Sequence, residues 1–290
     1  MSTALIIGSG LIGKSFITRF TQAGWEVNVH DIDSDVADEV EQLGATFFSD
    51  LEEAAEGVDF VQEAGPEDPE FKQEMFARLA EVTGDGVVLA SSSSALLPSL
   101  IARDNPAAER VIVGHPFTPV HLMPVLEIVP GPDTSSETTQ RAEKVYSELG
   151  FEPTTLRKEI TGFVGNRIQK AIMWEAIYLV QEGVVTPEEL DTIVRNSLGL
   201  RYAAVGPFEA NRLGGGAEGI SAIFEGIASA WADNMPAGEP DLDNLDELFS
   251  QVDDAYGADE ESFERRETAR DEKLRGFNAV ISGDADEQTR

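Results

Sequence analysis

A glycine-rich turn between a predicted strand and a predicted helix constrains the fold more than any other feature of the chain. Residues 8–13 read Gly-Ser-Gly-Leu-Ile-Gly, which is the G-x-G-x-x-G pattern. Residues 4–7 form a short apolar run of strand length, and residues 11–23 have a helical pattern. The motif is informative only in this strand–turn–helix context, which is typical of the first unit of a doubly wound α/β fold.

Each glycine of the turn has a physical role. Gly8 allows the tight turn, Gly10 lets the backbone approach a pyrophosphate, and Gly13 permits close packing of helix on sheet. The helix that opens with Leu11 and Ile12 directs free N–H groups and its positive end toward the phosphates. We therefore predict a dinucleotide at this turn. The alternative is a structural glycine turn that holds no ligand.

An acidic residue at the end of the second predicted strand indicates which dinucleotide binds. Asp31 follows the strand-like run 25–30. In that position its carboxylate can bind both hydroxyls of the adenosine ribose. Residues 32–35 read Ile-Asp-Ser-Asp and offer no arginine or lysine to a 2′-phosphate. The sequence therefore predicts NAD rather than NADP.

Strand-like and helix-like segments alternate along the first half of the chain, which predicts a mostly parallel sheet wrapped by helices. The predicted strands cover residues 4–7, 25–30, 59–62, 87–90, 111–113, 124–129 and 153–156. The predicted helices cover residues 11–23, 34–43, 70–82, 96–103 and 135–149.

From residue 159 onward the apolar spacing changes to the helical period. A long helix is predicted to end at Gly183, and residues 186–189, Thr-Pro-Glu-Glu, form a capping box that opens the next helix. The acidic segment 241–261 also fits a helix face. We predict two domains: a Rossmann-type α/β domain over residues 1–158 and an all-α domain over residues 159–290.

A histidine and a glutamate form the candidate catalytic pair. His115 lies at the end of the buried strand that begins at residue 111, and ligands bind at the carboxyl ends of parallel strands. Glu127 interrupts the apolar run 125–129, where a carboxylate is costly unless it is paired. Such a pair would hold the imidazole in one orientation, as a general base requires. The alternative is a core histidine with satisfied hydrogen bonds.

Further motifs follow one another in a fixed order. They are Val61-Gln62-Glu63-Ala64, the four serines at 91–94, His115-Pro116-Phe117-Thr118-Pro119, Glu127 and Gly162-Phe163-Val164-Gly165-Asn166-Arg167. Together with the glycine turn, this order and spacing resemble the L-3-hydroxyacyl-CoA dehydrogenase family over nearly the whole chain. Residues 62–68, 114–116, 198–203 and 206–209 are similar to its free-acid branch, which includes L-gulonate 3-dehydrogenase and carnitine dehydrogenase.

The resemblance implies an NAD-dependent oxidation of a secondary alcohol, with His115 taking the hydroxyl proton and Glu127 orienting His115. It also implies a helical second domain like the C-terminal domain of 6-phosphogluconate dehydrogenase, and a homodimer. Apolar faces at residues 220–230 suit the dimer contact, although they also suit a core within the domain. The remaining implied roles concern four residues: Ser94 and Asn166 would hydrogen-bond the reacting oxygen, and Glu63 and Ser92 would lie along the cofactor.

The chain departs from the family pattern in two places. Thr118 stands where the family usually has asparagine, and its hydroxyl can donate only one hydrogen bond. The stretch between Asp31 and the strand at residue 59 is short, whereas acyl-CoA enzymes carry a longer helical hairpin that contacts CoA there. His121 is a further candidate for lining the pocket.

Arg201 bears on the same choice of substrate. The acyl-CoA enzymes resemble Gly-Ala-Gly-Tyr at this turn, without an arginine. A guanidinium grips a carboxylate in bidentate fashion and could hold the acid end of a small substrate. The alternative is an ordinary solvated arginine.

Three functions follow for testing. The leading prediction is an NAD-dependent dehydrogenase of a small 3-hydroxy acid. The second is an L-3-hydroxyacyl-CoA dehydrogenase that acts on short-chain acyl-CoA. The third, from another class, is a structural protein that binds the cofactor, as crystallins of this branch do in the lens.

Composition excludes several other classes. The chain has no cysteine and only three histidines, so disulfides, thiolate metal sites and a histidine zinc site are not expected. A net charge of −33 repels nucleic acid and anionic lipid, so neither is an expected partner. The sequence shows no targeting segment and no membrane-spanning run. We expect a cytoplasmic protein.

The charge balance generates a prediction about salt. With 54 acidic and 21 basic residues, self-repulsion opposes the compact state at low ionic strength. Salt at about 1 M shortens the Debye length to roughly 3 Å and relieves that repulsion. If the protein is adapted to high salt, we expect its melting temperature to rise by several degrees between low and molar KCl; the alternative is a moderately acidic protein from a mesophile. A melting temperature indifferent to KCl would refute this adaptation.

Overall fold

The computed structural model describes residues 2–218, 220–223, 225 and 235–281. The chain divides into two compact units, Met1–Arg167 and Ile168–Arg290. The domain boundary between residues 158 and 159, which the sequence indicates, stays a prediction.

The first unit contains an eight-stranded sheet in the order β3-β2-β1-β4-β5-β6-β7-β8. Neighbouring strands are parallel except for β6 and β7, which are antiparallel. The strands are β1 Thr3–Ile7, β2 Glu26–His30, β3 Thr46–Phe48, β4 Phe60–Glu63, β5 Val88–Ser91, β6 Val111–Pro116, β7 Val125–Pro130 and β8 Glu152–Thr155. The predicted α/β fold with a mostly parallel sheet is confirmed.

Helices cover both faces of this sheet. They are α1 Leu11–Gln22, α2 Ala37–Gln42, α3 Leu51–Ala54, α4 Pro69–Val82, α5 Pro98–Ile101 and α6 Ser136–Glu148. Two buried apolar clusters result, one on each face. Phe16, Phe60 and Tyr146 belong to one cluster, and Phe76 and Phe163 belong to the other.

Two elements of the first unit were absent from the sequence prediction, namely β3 and α3. Both lie in the stretch between residues 31 and 59, and they have three and four residues respectively. A strand of three residues at the sheet edge is too short to show a period, so pattern reading does not detect it. The predicted strand 111–113 is also longer in the structure, since β6 continues through His115 to Pro116.

The second unit is helical. Its helices are α7 Gly165–Gln181, which starts in the first unit, α8 Pro187–Val194, α9 Leu200–Ala204, α10 Pro207–Gly214, α11 Ile220–Ile223, α12 Asp246–Tyr256 and α13 Glu260–Ile281. The predicted capping box is present, because Thr186 and Glu189 exchange side-chain and backbone hydrogen bonds. A π-helical turn, Arg195–Gly199, lies between α8 and α9.

The described part of this second unit buries little apolar surface. Most of the large apolar side chains that are exposed anywhere in the described chain lie here, including Ile168, Ile172 and Phe208. Of the predicted dimer segment 220–230, α11 and residue 225 are described, and the rest lies outside the described residues. No described helix is both long enough and apolar enough to span a bilayer.

The packing of α1 on the sheet depends on Gly13. A Cβ at this position would overlap the carbonyl oxygen of Gly8 in the preceding turn. At Gly10, three residues earlier, a Cβ would meet nothing within 4 Å. The two glycines therefore differ in kind: Gly13 is fixed by packing within the protein, whereas the space at Gly10 is open.

This difference predicts opposite outcomes for two alanine variants. Gly13→Ala gains helix propensity of about 1 kcal/mol, yet we expect a net loss of about 1–3 kcal/mol in the free energy of unfolding through overpacking. Gly10→Ala is the matched control and should change that free energy by less than about 0.5 kcal/mol. Urea unfolding measures both, and equal losses in the two variants would contradict the assignment.

Candidate active site

The glycine turn has the shape that a pyrophosphate requires. Gly8 has φ +88°, which favours glycine, and a Cβ there would lie 2.9 Å from the carbonyl oxygen of Ala64. Helix α1 has no side-chain cap at its N-terminus, so its first N–H groups face the open space at Gly10. Leu11, at the first helical position, is 74% exposed. These observations fit the phosphates of a dinucleotide.

Asp31 is held against this turn at the end of β2. One carboxylate oxygen accepts from the N–H of Ser9 at 2.7 Å and from its hydroxyl at 2.6 Å, and the other accepts from the N–H of Asp33 at 3.0 Å. Burial alone raises the pKa of Asp31, but these hydrogen bonds outweigh it, so the net pKa is lowered. The carboxylate therefore stays ionised at the edge where an adenosine ribose would lie.

His115 and Glu127 are directly opposed across the antiparallel pair β6–β7. Opposed residues of such a pair point to the same face of the sheet. Nδ1 of His115 lies 2.9 Å from Oε2 of Glu127, and both side chains are buried. The sequence predicted this pairing from the cost of a lone carboxylate, and the register supplies the geometric cause.

The second oxygen of Glu127 binds the start of α7. Oε1 accepts from the N–H groups of Val164 and Gly165, each at 3.0 Å. Burial alone raises the pKa of Glu127, yet the hydrogen bond with His115 and these two backbone donors outweigh it, so the net pKa lies below its ordinary value. An ionised Glu127 can only accept, so Nδ1 of a neutral His115 carries the proton and Nε2 keeps its lone pair.

Two phenylalanines flank the imidazole. The ring centroids of Phe117 and Phe163 lie 5.3 Å and 5.4 Å from that of His115. Phe163 has φ +49°, a strained conformation for a bulky residue, and it is fully buried. The Phe117 ring can pack against Gly165 only because that residue is a glycine, since a Cβ there would overlap the ring.

Ser94 and Asn166, to which the resemblance gives a shared role at the reacting oxygen, lie next to each other. Nδ2 of Asn166 donates to the carbonyl oxygen of Ser94 at 2.8 Å. Glu67 fixes the same loop, because its Oε1 accepts from the Ser93 hydroxyl and from the N–H groups of Ser94 and Ala95. Glu67 lies within the stretch 62–68 that resembles the free-acid branch, but a glutamate between a proline and an aspartate carries no sequence signal for this role.

The side chain of Glu63 requires a correction. It is fully buried, and its oxygens bind the equally buried Nζ of Lys72 at 2.7 and 2.8 Å, the Ser91 hydroxyl and the N–H of Gly65. A carboxylate so enclosed supports the turn at Gly65 from inside the fold and is not available along a cofactor. The buried Lys72, which makes this possible, was not singled out in the sequence.

The remaining predicted residues lie in different settings. Ser92 is half-buried after β5, and its hydroxyl accepts from Nε2 of Gln62 at 2.8 Å. Thr118 is exposed on the loop that follows β6. His121 lies further along this loop, whose carbonyl oxygens at Val120 and Met123 accept from Arg19.

Arg201 belongs to the second unit, in α9, immediately after the π-helical turn. Its side chain is exposed, and within the residues that the structure describes it has neither a hydrogen bond nor an ion pair. π-Helical turns occur frequently at functional sites. In a chain with 54 acidic residues, an arginine that has no acidic partner among the described residues is an available anion-binding group.

Two family models match the chain in sequence. "3-hydroxyacyl-CoA dehydrogenase, NAD binding domain" matches residues 42–160, and "3-hydroxyacyl-CoA dehydrogenase, C-terminal domain" matches residues 162–245. Neither match includes the glycine turn, which stands on its own geometry.

Known relatives agree with these models. Lambda-crystallin of Oryctolagus cuniculus is 37% identical, with 74% of this chain and 75% of that protein covered. L-carnitine dehydrogenase of Oceanobacillus iheyensis is 35% identical, covering 79% and 81%. L-carnitine dehydrogenase/betainyl-CoA thioesterase of Rhizobium meliloti is 33% identical, with 98% of this chain covering 62% of that longer protein.

Solved structures show the same fold. A 5-formyl-3-hydroxy-2-methylpyridine 4-carboxylic acid 5-dehydrogenase, an NAD⁺-dependent dismutase, matches with a TM-score of 0.85 at 23% identity and covers 98% of this chain and 99% of its own. A 3-hydroxyacyl-CoA dehydrogenase of Archaeoglobus fulgidus matches with a TM-score of 0.72 at 25% identity, covering 97% and 100%. The chain therefore belongs to the 3-hydroxyacyl-CoA dehydrogenase family and is an NAD-dependent oxidoreductase.

Proposed function

We propose that this enzyme oxidises the 3-hydroxyl group of a small hydroxy acid to the 3-keto acid, with His115 as general base. The observation that carries the proposal is the His115–Glu127 pair, whose geometry leaves Nε2 of His115 as the proton acceptor. The glycine turn and Asp31 would hold NAD⁺, which would supply the hydride acceptor for the carbinol carbon. Nε2 takes the hydroxyl proton in the same reaction, so that the charges balance.

The other residues of this edge hold the reacting oxygen and the imidazole. Glu127 stabilises the imidazolium that forms, because its carboxylate stays ionised and is fixed at both oxygens. We assign the Ser94 hydroxyl and the Asn166 amide to the reacting oxygen, since the bond from Asn166 to Ser94 ties them together. We assign Thr118 to the substrate because it is exposed on the loop after His115.

A free acid is favoured over an acyl-CoA by two features of the chain. Arg201 is an unpaired guanidinium among the described residues and can bind a carboxylate through two parallel hydrogen bonds. The stretch between β2 and β4 contains a 3-10 turn, Ser34–Val36, then α2, β3 and α3 with six, three and four residues, and no long helical hairpin. Relatives named L-carnitine dehydrogenase act on a 3-hydroxy acid of this kind.

The direct experiment measures NADH formation in high salt with gulonate, carnitine and 3-hydroxybutyrate, and the reverse reaction with acetoacetyl-CoA. We expect His115→Gln to lower kcat by about 10²–10⁴, the usual contribution of a general base, while NADH binding is retained. Turnover of acetoacetyl-CoA but of no free acid would replace the proposal by the acyl-CoA reading. Absence of all turnover would favour the structural role that the name lambda-crystallin indicates for that relative.

A separate pair of variants tests the carboxylate contact. We expect Arg201→Ala to raise KM for the hydroxy acid about tenfold or more and to change kcat much less, because a bidentate charge-assisted contact is lost. Arg275→Ala, on the exposed surface of α13, is the matched control and should leave KM unchanged. An unchanged KM in the Arg201 variant would reject this residue as the carboxylate ligand.

We also propose that the second unit forms a homodimer contact. Apolar side chains exposed along α7, such as Ile168 and Ile172, need cover that the described residues do not provide. A second copy of this chain supplies such a face by two-fold symmetry. Sedimentation equilibrium should give twice the 31.4 kDa chain mass in molar salt, and a monomer at micromolar concentration would oppose the proposal.

A further inference from the structure

A line of three hydrogen-bonding side chains runs along one face of the sheet to the carboxyl end of β5. The Tyr146 hydroxyl on α6 donates to Oε1 of Gln62 on β4 at 2.7 Å. Nε2 of Gln62 then donates to the Ser92 hydroxyl oxygen at 2.8 Å. Tyr146 and Gln62 are both fully buried, whereas Ser92 is half-buried at the carboxyl end of β5. Neither Tyr146 nor Gln62 has a part in the proton transfer.

Burial fixes the direction of this line. Within the described residues, the Tyr146 hydroxyl has Gln62 as its one hydrogen-bond partner, and Gly114 lies so close that a Cβ would overlap the phenol. Desolvation also raises the pKa of Tyr146, so the phenol keeps its proton. If the Gln62 amide were reversed, two donors would face each other and the phenol proton would be buried without an acceptor, which is unfavourable.

The direction of the amide determines what Ser92 can do. Since Nε2 of Gln62 occupies an acceptor site on the Ser92 oxygen, the serine proton must point away from Gln62. Ser92 thus presents a donor, with its orientation set from inside the protein. A serine without such a neighbour would rotate freely and could equally accept.

The position of Ser92 along the sheet edge indicates what receives this hydrogen bond. Strands β1, β4, β5 and β6 are neighbours in this order. Gly8 follows β1, Ala64 follows β4, Ser92 follows β5, and His115 lies near the end of β6. A ligand that extends from the glycine turn to His115 must pass the ends of β4 and β5. The half of NAD beyond the pyrophosphate carries acceptor oxygens in its ribose and carboxamide.

We propose that Tyr146 and Gln62 are positioning residues that hold the Ser92 hydroxyl as a hydrogen-bond donor to an acceptor oxygen in the nicotinamide half of NAD. The inference rests on the proposed function in one respect, namely that the dinucleotide runs from the glycine turn to His115. It gives Gln62, an uncharged polar residue in the middle of a parallel sheet, a reason to be there. It also extends the cofactor site to a buried tyrosine on α6.

The test measures the Kd of NADH by fluorescence titration for Ser92→Ala, Gln62→Met and Tyr146→Phe. Loss of one oriented hydrogen bond should raise this Kd about threefold to tenfold in each variant. ADP, which lacks the nicotinamide half, should bind all three variants as it binds the wild type. Gln73→Met is the matched control, because the Gln73 amide binds the Leu100 carbonyl away from this line, and its Kd for NADH should not change.

Double variants separate positioning from packing. In the Ser92→Ala background, adding Tyr146→Phe or Gln62→Met should not raise the Kd of NADH further. The proposal is overturned if Tyr146→Phe leaves the Kd unchanged while Ser92→Ala raises it. The proposal is also overturned if Tyr146→Phe raises the Kd of ADP. The same holds if the effects of Tyr146→Phe and Ser92→Ala on the Kd of NADH are additive in the double variant.

Two further readouts keep this result distinct from stability and from the proposed function. Thermal melts without ligand report any loss of folding in Tyr146→Phe, and Gln62→Met provides the same test if the tyrosine variant does not fold. A protein that oxidises no hydroxy acid but shows the full pattern of NADH affinities would refute the proposed function and still support the positioning role.

Discussion

The site depends on one carboxylate that is satisfied at both oxygens. Glu127 accepts from His115 with one oxygen and from two backbone N–H groups at the start of α7 with the other. Burying a carboxylate is costly unless both of its oxygens have an ion-pair or hydrogen-bond partner. Here each of the partners also gains from the contact. His115 gains a fixed orientation, and α7 gains the N-terminal acceptor that helices need. Glu127 therefore holds together His115, the β6–β7 pair and the first residues of α7.

The surroundings of this anchor show where the chain tolerates strain. Phe163 adopts a left-handed conformation and is packed against the imidazole, and the two N–H groups that bind Glu127 follow it directly. Strained residues persist when neighbouring structure over-determines them. Burial of the Phe163 ring and the two hydrogen bonds to Glu127 hold the backbone of Phe163 in this strained conformation. The absence of a side chain at Gly165 is also required, because the Phe117 ring occupies the space.

Much of the fold and part of the site could be predicted from the sequence, and the reasons differ by residue. The glycine turn is predictable because its residue type, spacing and flanking elements all constrain one geometry. Glu127 is predictable because an apolar run makes an isolated carboxylate conspicuous. The donors of Val164 and Gly165 are not, since backbone N–H groups leave no mark in residue identity. Strand β3 was missed because it is too short to show a period.

Other site features escaped because they join distant parts of the chain. Tyr146 and Gln62 are 84 residues apart, and neither has a motif that points to the other. Glu63 was assigned to the cofactor by resemblance, whereas its carboxylate is enclosed by Lys72, Ser91 and Gly65. A resemblance transfers the position of a residue along a chain but not the direction of its side chain.

The reversal of chain direction between β6 and β7 has a consequence for how this enzyme can change. Successive side chains of a strand alternate between faces, so sliding β7 by a single position would replace Glu127 opposite His115 by an aliphatic neighbour. The eight residues that link the two strands, 117–124, must therefore preserve this alignment, and Phe117 and Val120 are also held by packing, whereas exposed positions such as Thr118 can vary. Substitutions at exposed positions of that link can change substrate specificity. Insertions that shift the register would remove the carboxylate partner of His115 and so abolish its action as general base.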